Sequence, residues 1–471
     1  MRVRFPWVGG WIGLVVTAWS LVPDGSARAG EFTDVVAGLG QISTISGQAH
    51  TTTTNPDGTS IDFWRSEYEG APARQASLSN PHIAAADAYG NLYVADKASH
   101  SILKITPDGL IHTFAGTHEP GFNGDGPARA TTLQIYSPNG LFVFPDGTVF
   151  LLDPGNHRIR KVDPSGIMTT VVNDPDPSWM PSGRALWVSA DESLIYYCHE
   201  YPPIPPSLVA SGAVIKQWTP VGGIQTVCDS GVGFRNPGNL AVNPVDGRLY
   251  VTDRAEEDLT RQETGLFRID GVNLRTRITG NVNEPKAASG QEALHSFIEQ
   301  PRGIAFLADG SYFLCGHKDG NIWYIDIHGI LHRYVQGSGK GDTYLIDDGD
   351  RPPLINRNVI SQPRAVTLAP NGDLIGVSND SGYLFRVRSV AEPVVPSDVV
   401  LTRNLSATGV LLRWSGVFGR GYRVERSGVL PTAAWEPVGA VGGGPTGQPT
   451  RFLDSHGTDG SSGFYRILPS L

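Results

Sequence analysis

Cysteine is scarce in this chain, and the signature motifs of several large enzyme classes are missing. The three cysteines, Cys198, Cys228 and Cys315, show no C-x-x-C spacing, which excludes a disulfide-built scaffold and a cysteine-rich zinc module. A Cys198–Cys228 bridge stays open as an alternative, but small buried strand residues are the favoured interpretation. The sequence contains no G-x-S-x-G, H-E-x-x-H or phosphate-loop motif, so it indicates no common hydrolase or nucleotide site.

Positive charge is also in short supply. The chain carries 37 lysines and arginines against 46 aspartates and glutamates, which gives a formal net charge of −9. Binding to nucleic acids and to anionic membrane surfaces depends on clustered basic residues. We therefore expect neither of these partners.

Long apolar runs are absent beyond the N-terminus, which has the features of a signal peptide. Arg2 and Arg4 precede an uncharged stretch at 5–22, and an A-x-A cleavage site follows at 27–29. We expect residues 1–29 to be removed and the mature chain to be secreted or periplasmic, with no integral membrane segment. The alternative is an uncleaved anchor, which the shortness of the run and its Pro6 disfavour.

Glycine and proline are in excess, with 57 and 35 residues of the 471. Together with 40% apolar residues, this composition indicates many short strands joined by tight turns. Six similar units each contain a first strand, a tight turn (Asp-Gly or Asn-Gly in most units), a second strand and a third strand, and the first five add a fourth. Each unit opens on a proline: Pro81, Pro138, Pro181, Pro237, Pro301 and Pro363.

Four short antiparallel strands per unit predict an all-β fold, a six-bladed β-propeller, because stacked blades bury the faces that one blade cannot. The sixth unit lacks a fourth strand, and the N-terminal segment 32–38 is similar to the fourth strand of the first unit. We therefore expect 32–38 to pair with the last blade and close the ring. The propeller would then extend over 30–390.

The second unit carries a specific family resemblance. Its Gly121-Phe122-Asn123-Gly124-Asp125-Gly126-Pro127-Ala128 run is followed by Pro138-Asn139-Gly140 and by Gly155-Asn156-His157-Arg158-Ile159-Arg160. This unit resembles the NHL repeat in its bacterial secreted form, and the resemblance extends more loosely over 32–390. It implies a six-bladed propeller of a kind that often serves as a binding scaffold.

The tail has a different pattern. After a linker at 391–397, the segment 398–471 contains six short strands separated by Gly, Ser and Pro turns, which predicts a small β-sandwich. Its Leu412-Arg413-Trp414, Tyr422-Arg423-Val424 and Phe464-Tyr465-Arg466-Ile467 runs resemble the fibronectin type III-like modules that end many secreted bacterial proteins.

The first strands of a propeller line its central channel, so the residue after each opening proline stands at the channel mouth. In chain order these residues are His82, Asn139, Ser182, Gly238, Arg302 and Arg364. Two arginines and a histidine at a narrow mouth suit a carboxylate, a phosphate or a sugar acid. We predict a binding site formed by His82, Asn139, Arg302 and Arg364.

Three aspartates offer an alternative interpretation of these arginines. Asp96, Asp153 and Asp253 each end the second strand of their unit, and an arginine at the mouth could pair with the nearest of them. A residue that recurs at one blade position more often accepts structural hydrogen bonds than takes part in catalysis.

A bound divalent metal is a further hypothesis. For each group of candidate ligands, a role without metal is the favoured interpretation. Zinc needs at least three convergent ligands. One histidine at the first-strand position and four in the loops between second and third strands could supply them, but surface or capping roles are favoured. The histidines concerned are His82, His100, His157, His199 and His317. Calcium favours clustered oxygen ligands, and four aspartates lie close together in the loop before the sixth unit. A solvated acidic loop is the favoured interpretation of these residues, which are Asp342, Asp347, Asp348 and Asp350.

Two functions stay open on the sequence. The favoured one is an exported, monomeric binding or scaffold propeller that recognises a protein, peptide or carbohydrate ligand on its loop face. The alternative is a propeller enzyme, a lyase or lactone hydrolase, with a divalent metal in the central channel. No catalytic constellation is evident in the sequence, which favours binding.

Overall fold

The computed structural model describes 39–47, 64–176, 186–201, 212–254, 264–338, 360–379 and 382–389, together with six tail segments between 400 and 469. The part before the tail forms six antiparallel sheets of four strands, with a short extra strand in the second. The all-β six-bladed β-propeller is therefore confirmed. Within the described ranges the helices are short 3-10 turns, and no helix is long and apolar enough to cross a membrane.

The strands of each blade are named first to fourth from the channel outward. Blade 1 contains Pro81–Ala86, Leu92–Asp96, Ser101–Ile105 and Ile111–Ala115, and blade 2 contains Gly140–Val143, Val149–Asp153, Arg158–Val162 and Ile167–Asn173, with Ala128–Arg129 added outside. Blade 3 contains Leu186–Val188, Ile195–Glu200, Ala213–Thr219 and Gly223–Cys228, and blade 4 contains Pro237–Val242, Leu249–Asp253, Gly265–Gly271 and Leu274–Arg277. Blade 5 contains Pro301–Phe306, Tyr312–Gly316, Ile322–Ile325 and Leu331–Val335, and blade 6 contains Pro363–Leu368, Leu374–Ser378 and Tyr383–Ser389, with Leu39–Ser46 as its fourth strand.

The remaining elements are short. Gly337–Ser338 pairs in parallel with Ile360–Ser361 between blades 5 and 6. The 3-10 turns are Ser66–Tyr68, Ala73–Gln75, Ala130–Thr132, Pro154–Asn156, Ser230–Val232 and Ala293–His295.

The first strands contact one another around a closed ring, from blade 1 through blade 6 and back to blade 1. The hydrophobic core accordingly lies between blades rather than within them. Tyr250 and Leu266 of blade 4, for example, share a buried cluster with Leu314 and Trp323 of blade 5. Each blade therefore depends on its two neighbours for the burial of its faces.

The ring is closed by the N-terminal part of the chain, but not by the predicted segment. Residues 32–38 lie outside the described residues, and Leu39–Ser46 pairs antiparallel with Tyr383–Ser389 as the fourth strand of blade 6. The prediction therefore placed the closing strand one strand too early in the chain. The run Ile42-Ser43-Thr44-Ile45-Ser46-Gly47 matches Ile111-His112-Thr113-Phe114-Ala115-Gly116 of blade 1 position by position.

Burial and backbone conformation account for the position of this closing strand. Ile42 is fully buried among residues of blades 5 and 6. Gly47 ends the strand with a φ of +97°, as Gly116 does in blade 1 with a φ of +94°. A Cβ at Gly47 would lie 2.2 Å from the carbonyl oxygen of Gly382, so glycine is required for this close approach.

The tail forms two three-stranded antiparallel sheets. One contains Val400–Arg403, Val410–Trp414 and Thr450–Asp454, and the other contains Gly421–Ser427, Glu436–Gly442 and Phe464–Pro469. Trp414 of the first sheet packs edge-on against Tyr422 of the second at 5.6 Å between ring centroids. The two sheets thus share buried residues in a single cluster.

The closing strand can be tested at Ile42. Truncation of a buried isoleucine to alanine costs about 2–5 kcal/mol, so we expect Ile42→Ala to lower the free energy of unfolding of the propeller by that amount in denaturant titrations. Val221→Ala, at a fully exposed position, is the matched control and should change it by less than about 0.5 kcal/mol. Equal effects of the two substitutions would contradict ring closure by this strand.

Candidate functional site

The four residues predicted to form the mouth do converge in space. His82, Asn139, Arg302 and Arg364 line one cavity on the channel axis, together with Gly238 of blade 4. Ser182, the corresponding residue of blade 3, lies outside the described residues. The repeat therefore brings side chains from four blades to one point, although up to 282 residues separate them along the chain.

Strand register places this cavity at the level of the loops between second and third strands. In blades 1 and 4 the proline before the mouth residue is paired with the last residue of the second strand, as Pro81 with Asp96 and Pro237 with Asp253. The same pairing occurs in blades 5 and 6. The cavity thus opens toward the face that carries these loops, which is the loop face of the prediction.

The channel is very narrow at this level. The cavity has a volume of about 10 Å³, which is room for one water molecule. Gly238 allows the strands to come this close, because a Cβ there would lie 2.8 Å from the Cα of Arg302 in the next blade. Gly303 has the same role between blades 5 and 6, where a Cβ would lie 2.7 Å from the Cα of Ala365. Two glycines therefore allow the first strands to approach closely around the arginines.

Arg302 is the most unusual residue of the site. Its side chain is only 3% exposed, and its Nε and Nη1 have no hydrogen-bond partner among the described residues. A buried guanidinium without partners is costly, because burial of an unpaired charge is among the least favourable events in folding. The cavity is thus lined by a cation that the described part of the chain does not neutralise.

Arg364 and His82 interact directly. Nη1 of Arg364 donates a hydrogen bond to Nε2 of His82 at 2.7 Å, and Nδ1 of His82 lies 3.1 Å from the carbonyl oxygen of Asn80. A carbonyl oxygen only accepts, so Nδ1 carries the proton and the imidazole is neutral. Among the described residues, both positive charges at the mouth therefore belong to the arginines.

The aspartates that could have paired with these arginines are engaged elsewhere. Asp153 accepts from the backbone N–H of Tyr136 at 2.7 Å and forms a fully buried ion pair with Arg160 at 3.2 Å. Asp253 accepts from the backbone N–H groups of Arg235 and Asn236. Burial raises the pKa of Asp253 to about 7, against the lowering effect of these two hydrogen bonds.

Asp96 repeats this arrangement with Ser79 and Asn80, at 3.0 and 2.6 Å. In all three blades the aspartate accepts from backbone groups just before the opening proline. These aspartates therefore fix the entry of the first strand, as their recurrence predicts.

Residues of the loops between second and third strands connect neighbouring blades, a role that sequence reasoning missed. The backbone N–H of Ser137, before blade 2, donates to Nδ1 of His100 in blade 1 at 3.1 Å. Nδ1 of His317 in blade 5 lies 3.2 Å from the carbonyl oxygen of Gln362, before blade 6. Asn379 of blade 6 donates to the carbonyl oxygen of Pro81 in blade 1. The one available signal was that these residues precede the third strand in their units.

The metal hypotheses gain no support. No group of three or more His, Cys, Asp or Glu side chains in the described ranges could hold a metal ion. His157 has a left-handed backbone at the end of a 3-10 turn, and His199 lies inside the second strand of blade 3 rather than in a loop, which corrects its predicted place. The acidic segment at 342–350, the predicted calcium site, lies outside the described residues.

The glycine-rich run of the second unit is held by the motif that follows it. Asn156 donates to the carbonyl oxygen of Gly121, Arg160 to that of Gly124, and Arg158 to the carboxylate of Asp125, at 2.7, 2.9 and 2.8 Å. The Asn-His-Arg-Ile-Arg stretch thus has a structural role.

All three cysteines are buried and none is in a disulfide, as the favoured interpretation predicts. Cys198 and Cys228 both pair with Ile215 of the intervening strand. Burial raises the pKa of the Cys228 thiol to about 11 and that of the Cys315 thiol to about 12, so neither is a reactive thiolate.

Comparisons with known proteins establish the fold and leave the family open. No protein-family model matches the chain. The protein Suppressor of Quenching 1 of Arabidopsis thaliana chloroplasts is 35% identical over 75 residues, which are 16% of this chain and 7% of that protein.

Two solved structures are similar over most of the propeller. A protein of unknown function from Bacteroides thetaiotaomicron has a TM-score of 0.52 at 13% identity, covering 74% of this chain and 75% of its own. An auxiliary nutrient binding protein from Bacteroides ovatus has a TM-score of 0.50 at 12% identity, covering 74% and 76%. At these identities the likeness concerns the propeller fold alone.

His199 makes blade 3 sensitive to acid. Its imidazole is fully buried, 3.4 Å from Asp176, and Lys216 lies in the same cluster with its Nζ 2.8 Å from Asp174. Burial first, and then the charge of Lys216, lower the pKa of His199 from 6.5 to about 4. A lowered pKa in the folded state contributes stability above pH 6.5, and this contribution is lost as the pH falls toward 4.

In the unmodified protein, His199 should lower the free energy of unfolding by at most about 3 kcal/mol as the pH falls from 6.5 to 4. We expect His199→Gln, whose side chain cannot be protonated, to abolish this decrease. Urea titrations at several pH values would measure it as a flatter slope against pH. His328→Gln, at an exposed loop position, should keep the slope of the unmodified protein. An unchanged slope in the His199 variant would contradict this assignment.

Proposed function

We propose that this chain is an exported binding propeller that recognises a protein, peptide or carbohydrate ligand on its loop face, with an anionic group of the ligand directed at the channel mouth. The observation that carries the proposal is Arg302, a buried guanidinium with two unpartnered N–H groups beside Arg364. Carboxylate and phosphate oxygens are the acceptors that arginine binds best.

The size of the cavity defines how such a ligand binds. With a volume of about 10 Å³, the constriction admits only the tip of an anionic group. The body of the ligand therefore lies outside, on the loop face. This favours a large ligand with a terminal or projecting acid over a small molecule enclosed in the channel.

Exposed aromatic rings beside the loops support this arrangement. Tyr136 is 40% exposed and packs edge-on against His100 at 5.5 Å between ring centroids. Phe122 is 42% exposed, and the Arg158 guanidinium lies 3.9 Å from its ring centroid. Rings held rigidly at the surface are common in interfaces, because they provide contact area at little conformational cost.

The remaining parts of the proposal rest on the sequence. Residues 1–29 act as a signal peptide, the mature protein is a monomer in the periplasm or outside the cell, and the tail is a fibronectin type III-like sandwich that spaces or tethers the propeller. The enzyme alternative, a metal-dependent lyase or lactone hydrolase, lacks a set of metal ligands within the described ranges. We therefore prefer the binding function.

The proposal is tested with pairs of acidic and neutral ligands, such as uronic acid oligosaccharides and their neutral counterparts. Calorimetric titration should show preferential binding of the acidic member. Arg364→Gln should weaken that binding about tenfold to a hundredfold, because a hydrogen bond to a charged group is lost, and should leave neutral ligands unaffected.

Arg388→Gln is the control for this experiment. Arg388 is exposed on the third strand of blade 6 and is not among the residues that line the mouth, so its substitution should not alter binding. Equal affinity for acidic and neutral ligands, or equal effects of the two arginine substitutions, would contradict the proposal.

A further inference from the structure

We infer that the constriction between Arg302 and Arg364 is a binding site for one monatomic anion of halide size, which stabilises the propeller when no ligand reaches the mouth. The inference rests on the proposed function only in that both use the same two arginines. It concerns the ligand-free protein, and it can be tested without knowledge of the ligand.

Charge is the first argument. The described residues around the cavity include two arginines and no aspartate or glutamate. Arg302 is 3% exposed, so bulk water does little to screen its charge. A water molecule could accept from one of its two unpartnered N–H groups, but a neutral molecule leaves the charge uncompensated. An anion accepts the same hydrogen bond and also compensates the charge.

Size is the second argument. A cavity of about 10 Å³ accommodates a single water-sized particle. Sulfate, phosphate and whole carboxylic acids are several times larger than a water molecule, whereas chloride is a single atom only somewhat larger than water. The close approach of the first strands at Gly238 and Gly303 sets this limit, because any Cβ there would collide with backbone atoms of the next blade.

Hydrogen-bond geometry is the third argument. Nε and Nη1 belong to one planar guanidinium, but their N–H bonds diverge by about 120°, so one spherical acceptor takes a single N–H group of Arg302. His82 does not compete for this place as an acceptor for Arg302, because its Nε2 already accepts from Arg364 at 2.7 Å. The site therefore has donors from Arg302, a second positive charge nearby, and space for one ion.

The inference has a consequence for ligand recognition. An acidic group of a ligand must displace the resident anion to reach Arg302. The apparent affinity for acidic ligands should therefore decrease with chloride concentration at constant ionic strength, and the affinity for neutral ligands should not.

The test uses the full mature chain without ligand. Thermal unfolding is measured while sodium methanesulfonate is replaced by sodium chloride or bromide at constant ionic strength. We expect a saturable rise in Tm with either halide in the unmodified protein and in Arg388→Gln. Arg302→Met should abolish the halide response.

A second variant guards against loss of folding in Arg302→Met. Asn139 lines the same cavity and is 1% exposed, so Asn139→Asp supplies an internal carboxylate with almost no change in shape. We expect this variant to have a higher Tm than the unmodified protein in methanesulfonate and no further rise with halide. A halide response that persists in Asn139→Asp would count against the site.

Crystals grown in bromide complete the test. Anomalous scattering should place one bromide within hydrogen-bond distance of Nε or Nη1 of Arg302. A halide-independent Tm, or density for water alone at that position, would overturn the inference and leave the proposed ligand binding to be judged by its own titrations. Conversely, a clear bromide site without any selectivity for acidic ligands would uphold the inference and reject the proposed function.

Discussion

The pairing of Leu39–Ser46 with Tyr383–Ser389 is the contact on which the rest of the structure depends. Each blade buries its faces only against its neighbours, so an open ring would expose one face of blade 1, one face of blade 6 and a free strand edge. Closure between two distant parts of the chain converts six local sheets into one cooperative unit. It also fixes the distances between the first strands around the central channel.

The narrow axis follows from this closed ring. Gly238 and Gly303 let neighbouring first strands approach more closely than any larger residue would permit. The same approach brings Arg302 and Arg364 to one cavity and excludes bulk water from Arg302. The burial of the two arginine charges therefore depends on backbone packing. A substitution at either glycine would change the surroundings of the arginines, because it would push the first strands apart.

Much of this architecture could be predicted from the sequence, because its signals are local. The Asp-Gly and Asn-Gly turns and the strand patterns locate Leu92–Asp96 and Leu249–Asp253 to the residue. The closing strand was misplaced because 33–38 and 42–47 carry the same pattern, and a pattern does not say which copy pairs. The mouth residues converge as predicted, whereas the contact of His100 with the next blade depends on the angle between blades, which no single unit encodes.

Stability alone does not account for the residues at the axis. Replacing a buried ion by an apolar residue of similar volume is often neutral or stabilising, and the first strands elsewhere carry such residues, as Ile83 and Leu141 show. An arginine that is buried at the axis and lacks a carboxylate partner there therefore costs the fold stability. The anion that we propose would offset that cost, because the ion accepts from a donor that the described part of the chain leaves open. The stability cost of Arg302 thus favours the proposed role of Arg302 and Arg364 in anion binding, with the propeller holding both charges at one point.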